Sequence, residues 1–210
     1  MQTTLFNKNN ILIGIIFIFH VVGLIGFIIN PVFFTSLSPL NLLLSVILVL
    51  AAIKPTQLKL LVSILLVALI GFAIEVVGVE TKLIFGSYYY GNSFGLKFLK
   101  VPLLIGLNWA LLLYSIAQFC TFKNKYANVF LSSTLMIFLD FFIEQNAARY
   151  DFWYWENNII PMQNYVAWFL ISVLLNFLFL STFNKTKNVV AKYFYLIQLL
   201  FFCMLFFMNL

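Results

Sequence analysis

Charge is what this 210-residue chain most lacks: 9% of its residues are charged, against 64% hydrophobic and 19% aromatic. Soluble domains carry about 25% charged and about 45–50% apolar residues. A chain this short has no interior large enough to hide so much apolar surface from water. Lipid is the solvent that such a composition calls for, which excludes a cytosolic enzyme and a nucleic-acid reader. Cysteine is equally scarce. Cys120 and Cys203 are the two present, too few for a disulfide framework or a metal clip, and both read as packed free thiols. The single histidine, His20, lies inside an apolar run and reads as a packing or hydrogen-bonding group. One histidine cannot build a histidine-box di-iron centre. Missing too are a Gly-rich nucleotide fingerprint, a G-x-S-x-G elbow and an aspartate-rich diphosphate-binding pair. Flavin enzymes, serine hydrolases and prenyltransferases therefore find no footing, and nothing supports a metal site.

What is present is apolar sequence in seven runs, at about 11–29, 37–53, 58–79, 101–122, 126–143, 160–183 and 189–209. Each approaches the roughly 20 residues with which an α-helix crosses the hydrocarbon core. The breaks carry Asn30-Pro31, Lys54-Pro55, Lys123-Asn124-Lys125 and Asn184-Lys185-Thr186-Lys187. Apolar residues run on continuously instead of alternating, which excludes a β-barrel. The first run lacks a small-residue cleavage site and reads as a transmembrane helix, not a cleaved leader. With no repeat or hydrophilic linker, the expectation is an all-α integral membrane protein, one helical domain over 1–210 with about seven spans.

Basic residues then set orientation. Lys8, Lys54, Lys59, Lys123, Lys125, Lys185, Lys187 and Lys192 fall on one bank of the membrane; Lys82, Lys97, Lys100 and Arg149 fall on the other. The excess favours a cytoplasmic amino terminus. All six acids lie between Glu75 and Glu156, in or beside two segments, 80–100 and 144–159, that parity places on the second bank.

Those acids are the candidates for chemistry. Glu75 lies about one helical turn, roughly 6 Å, inside the third span. An acid at that depth is costly unless protonated, paired or facing a wet cavity. Pairing with Lys82 or Arg149 is the structural alternative. Glu80 sits at the interface, where solvation or pairing with Lys82 competes with function. Asp140 and Glu144, four apart, share one helical face. Two carboxyls so placed cannot both ionise cheaply, so one is expected to keep its proton and serve as a general acid. Neutralisation by Arg149, the only arginine, is the alternative. Around these acids stand Tyr88, Tyr90, Trp109, Trp153, Trp155 and Trp168. They form either an interfacial belt or a pocket whose ring faces hold a cation. Asn108, Gln163 and Asn164 are placed to position a water.

The motifs Glu75-x-x-Gly78-Val-x-Thr81, Phe85-Gly86-x-Tyr88-x-Tyr90, Val101-Pro102 with Asn108-Trp109, Asp140-x-x-x-Glu144, Phe152-Trp153-x-Trp155, Pro161, Asn164-Tyr165 and Trp168 resemble the carotenoid biosynthesis membrane proteins that include bacterial carotenoid 1,2-hydratases. The resemblance spans roughly residues 70–175. Lys82 stands where a glycine is expected, and Gln145 where a proline is expected. The resemblance implies a bacterial inner-membrane enzyme that needs no cofactor and hydrates the acyclic end of lycopene or a γ-carotene-like carotenoid to a tertiary alcohol. Protonating the terminal alkene gives a tertiary carbocation, which water captures. Asp140 and Glu144 are then the expected acid/base pair, with Glu75 third and Glu80 fourth. Tyr88, Tyr90, Asn108, Trp109, Trp153, Trp155, Asn164 and Trp168 are the expected substrate-binding residues. Two other readings stay open: a membrane lycopene cyclase, in which an internal alkene captures the cation, and a non-catalytic carotenoid-binding or proton-coupled transport protein.

Overall fold

The computed structural model describes residues 7–209; residues 1–6 and 210 of the expected domain lie outside the described residues. Eight helices form an all-α membrane bundle: α1 (Lys8–Ile29), α2 (Pro31–Ser36), α3 (Ser38–Ala51), α4 (Leu58–Thr81), α5 (Leu104–Ala117), α6 (Lys125–Ala147), α7 (Met162–Phe183) and α8 (Val189–Met208). Asparagines start four of them, Asn7 at α1 included. Asn30, Asn124 and Asn188 each turn a side-chain oxygen onto first-turn backbone N–H groups of α2, α6 and α8, satisfying donors that a helix start leaves free.

Five helices, α1, α4, α6, α7 and α8, are long and apolar enough to cross a membrane. The other two expected spans are shorter than the sequence suggests. The run at 101–122 holds a 14-residue helix, α5, because Val101-Pro102 is a strand and the chain leaves the helix after Ala117. Nearly every residue of α5 from Ile105 to Ala117 is buried. A helix jacketed by protein meets other helices instead of lipid, so bilayer thickness does not set its length. The run at 37–53 likewise holds a 14-residue helix, α3, and α2 occupies the expected break before it.

The two banks are visible in side-chain contacts. Lys8 Nζ donates to the Ala51 carbonyl at 2.8 Å, the Asn188 N–H donates to Gln118 Oε1 at 2.9 Å, and Asn188 Nδ2 donates to the Val49 carbonyl at 3.1 Å. The start of α1, the ends of α3 and α5 and the start of α8 therefore share one end of the bundle. At the other end stand four short strands: β1 (Tyr88–Tyr90), β2 (Lys97–Phe98), β3 (Val101–Pro102) and β4 (Trp153–Trp155). Strand β1 pairs antiparallel with β4, and β2 with β3.

Helix α4 packs on α5, α6 on α7, and α1 on α8. The α4–α5 approach is very close: a Cβ on Gly106 would lie 2.3 Å from the Ala68 carbonyl oxygen, and one on Gly71 would lie 2.8 Å from Trp109 Cβ. Only glycine permits this spacing, and it seats Trp109 one turn from Glu75. Helix α4 ends at Lys82, whose φ of +60° is the left-handed conformation that glycine adopts at helix C-termini without a Cβ penalty. The glycine expected there thus has a physical reason. Gln145 points outward in an unbroken α6, where a proline would remove a helical N–H and bend the helix.

Two substitutions test this packing in detergent. Gly106→Ala is expected to lower unfolding stability by about 1–3 kcal/mol through overpacking. Lys82→Gly is expected to raise it by about 1 kcal/mol by relieving the left-handed residue. Unchanged melting temperatures in both variants contradict the account.

Candidate active site

Three carboxyls line one cavity of about 510 Å³: Glu75 from α4, and Asp140 and Glu144 from α6. None is more than 5% exposed. In the membrane interior such groups need hydrogen-bond partners, and the β1–β4 sheet supplies many of them. Its register sets Tyr88 opposite Trp155 and Tyr90 opposite Trp153. The two-residue alternation of a strand turns these four rings inward, while Tyr89 between them is 61% exposed. The sheet is thus a lid of aromatic rings whose polar tips reach down to the acids.

Glu75 accepts three hydrogen bonds: from the Tyr88 hydroxyl at 2.6 Å, the Tyr90 hydroxyl at 2.8 Å and Trp109 Nε1 at 2.9 Å. Glu144 also accepts three: from Trp155 Nε1 at 2.7 Å, Asn164 Nδ2 at 2.8 Å and Trp153 Nε1 at 2.9 Å. All six partners are donors, so both carboxyls act only as acceptors here, and a bond to a charged acceptor contributes about 1.5–3 kcal/mol. Burial, and after it the Glu75 charge, pushes the Tyr88 and Tyr90 phenols well above their ordinary range, so both remain O–H donors. Asp140 is different. It is 2% exposed, and neither of its oxygens has a hydrogen-bond partner among the described residues. A bare buried carboxylate is expensive, and the neutral acid is the form this position supports.

The other expected residues divide between wall, scaffold and surface. Asn108, Asn164 and Trp168 line the cavity. Trp109 does not line the cavity; it stacks on Trp168 with ring centroids 4.0 Å apart and planes at 13° and donates to Glu75. Glu80 does not reach the cavity: it is exposed and pairs with Lys100 at 2.9 Å, the one ion pair among the described residues. Lys82 and Arg149 therefore neutralise none of the buried acids. Gln163 also lies outside, its amide donating to the Leu83 and Ile84 carbonyls.

One wall of the cavity was not anticipated from sequence. It comes from α1, α3 and α8. His20 lies 2.8 Å from both Gln198 Oε1 and the Ile16 carbonyl, and Ser38, Asn41 and Ser45 lie along α3. The three- and four-residue spacings of that α3 stripe mark one helical face, a signal that could have found it. Among the lining residues, Phe19, Val22 and Leu40 are exposed on the outer surfaces of α1 and α3. They place the cavity mouth between these two helices, facing lipid.

Residues 37–210 match the sequence model of a family described as "Carotenoid biosynthesis protein". No curated protein and no solved structure matches the chain.

The unequal hydrogen bonding predicts unequal stability effects. Asp140→Asn breaks no hydrogen bond and is expected to change unfolding stability by less than about 1 kcal/mol. Glu75→Leu and Glu144→Leu each strand three donors and are expected to cost about 3 kcal/mol or more. Thermal unfolding of the three variants in one detergent checks this; equal losses contradict it.

Proposed function

Because the chain belongs to the carotenoid biosynthesis protein family, we propose that it is a carotenoid hydratase adding water across the terminal double bond of an acyclic end group. The observation that carries this reading is one partnerless acid, Asp140, beside two fully hydrogen-bonded carboxyls, Glu75 and Glu144, under a roof of aromatic rings. The lipid-facing mouth between α1 and α3 suits a hydrocarbon that arrives sideways from the bilayer.

The reaction needs a proton donor, a place for positive charge and a water. Asp140 gives its proton to the less substituted carbon of the terminal alkene, leaving a tertiary carbocation. The carbocation forms beside the Glu75 and Glu144 carboxylates and the faces of Tyr88, Trp153, Trp155 and Trp168. Each ring adds about 0.5–2 kcal/mol where it is desolvated, and the two anions are held in place before charge develops. Asn108 and Asn164 offer polar groups to position a water, whose oxygen forms the new C–O bond. The proton released from that oxygen returns to Asp140, whose carboxylate has no hydrogen-bond donor among the described residues to hold its charge. Alkene and water are consumed, the tertiary alcohol forms, and the enzyme ends as it began. Asp140 and Glu144 thus act as a pair with divided roles, one carrying the proton and the other the countercharge.

The polar groups lining the cavity favour water over an internal alkene as the trap, which separates this reading from a cyclase. The excess of lysines at the α1 start, the α3 end and the α8 start supports a cytoplasmic amino terminus. The resemblance supports the bacterial inner membrane as the location and lycopene or a γ-carotene-like compound as the substrate.

In a lycopene-accumulating bacterial host, the unaltered chain is expected to yield pigment heavier by one water. Asp140→Asn is expected to abolish that product while the protein still accumulates in membranes. Near-normal conversion by the variant removes Asp140 from the mechanism. A second expectation concerns the mouth. A Cβ on Gly23 would meet only Phe201, at 3.6 Å, and Gly23 lines the cavity, so Gly23→Trp starts a ring there without a backbone clash and directs it at the entrance. Its kcat/KM should drop about tenfold or more, and an unchanged value argues for entry elsewhere.

A further inference from the structure

At the end of the bundle opposite the acids, the end of α3, the α3–α4 turn, α5 and the turn between α7 and α8 enclose a second cavity of about 230 Å³. Lys54, Lys185 and Lys187 line it, and none of them is ion-paired among the described residues. Two hydroxyls in its wall, Tyr114 Oη and Thr186 Oγ1, are buried and lie near each other, with no partner at hydrogen-bond geometry among the described residues. Tyr114 is 1% exposed. Buried polar groups are almost always satisfied, and orphans call for a missing partner. Both hydroxyls can donate, and so can all three ammonium groups.

The backbone adds to the same polarity. Asn188 lines the cavity as N-cap of the 20-residue helix α8. Its own N–H and side chain are engaged by Gln118, Ala191 and Val49, so the helix contributes the positive end of its dipole to the wall and no free N–H group. The opposing negative end of α3 is already answered, because Lys8 donates to the Ala51 carbonyl there. Three cations, two orphan hydroxyls and a helix N-terminus converge on a space without an acid among its lining residues.

We infer that this cavity binds a phosphate group. A phospholipid headgroup at the lysine-rich face of the membrane and free inorganic phosphate present the same oxygens, and experiment separates them. This inference is independent of the hydratase reading, since the cavity shares no residue with the carboxyl site.

The test uses the full chain purified in a maltoside detergent, which carries no phosphate. Melting temperature is followed on adding phosphatidylglycerol, inorganic phosphate or, as a phosphate-free control, diacylglycerol. Phosphatidylglycerol alone raising the melting temperature identifies a headgroup site; inorganic phosphate raising it as well identifies an anion site open to solvent. In either case Lys185→Ala/Lys187→Ala should weaken the response about tenfold or more, the worth of at least one charge-assisted hydrogen bond. Tyr114→Phe keeps the ring packing and should weaken the response too, while melting no lower than the unaltered chain without ligand. No response to either phosphate compound overturns the inference, as does a response that both variants retain in full or one that diacylglycerol reproduces.

Discussion

The structure depends on one constraint: three carboxyls are buried in a bundle whose surroundings are lipid and aliphatic side chains. An unsatisfied charge in such a medium costs several kcal/mol, so the fold must bring donors to each acid or leave the acid uncharged. Glu75 and Glu144 receive three donors each. Those donors come from α5, α7 and both strands of the β1–β4 sheet. The register of this sheet hangs four aromatic rings over the acids at once. Asp140, on the same face of α6 and one turn from Glu144, receives none. The contrast between two satisfied carboxyls and one bare one is the chemical content of the site.

This constraint links distant features of the chain. Gly71 and Gly106 bring α5 against α4, which sets Trp109 at Glu75 and lets it support Trp168 from behind. Asp151 sits at φ +56° just before β4 and accepts the Asn92 N–H at 2.9 Å and the Tyr154 hydroxyl at 3.0 Å. It pins the two segments whose pairing forms the lid.

Much of this was legible in the sequence, for identifiable reasons. Polar breaks of asparagine, lysine and proline marked the helix ends because they hold the caps. The four-residue spacing of Asp140 and Glu144 marked a shared helical face. Parity alone put both polar segments on one bank. Other features were hidden. Hydropathy cannot separate a helix jacketed by protein from one that meets lipid, so α5 read as a full span. The burial of the Tyr-Tyr-Tyr and Trp-Tyr-Trp triplets alternates with a period of two in the structure, but at three residues each they read in sequence as rings for a belt or a pocket, not as paired strands. Sequence set Glu75 inside the span and Glu80 at the interface; five residues apart on α4, about 140° around the helix, they face opposite ways, Glu75 into the cavity and Glu80 toward solvent and Lys100. The α1–α3–α8 wall was missed because its residues are ordinary helix polar groups, and tertiary packing alone collects them.

The most direct test of the central claim is the origin of the atoms in the product. Purified protein supplied with lycopene in buffer made from oxygen-18 water and heavy hydrogen should form a tertiary alcohol with one solvent oxygen on the carbon bearing the hydroxyl. The adjacent carbon should carry one solvent hydrogen, delivered by an acid that exchanges with solvent. A ring product of unchanged oxygen content, or pigment bound and released unaltered, contradicts the account.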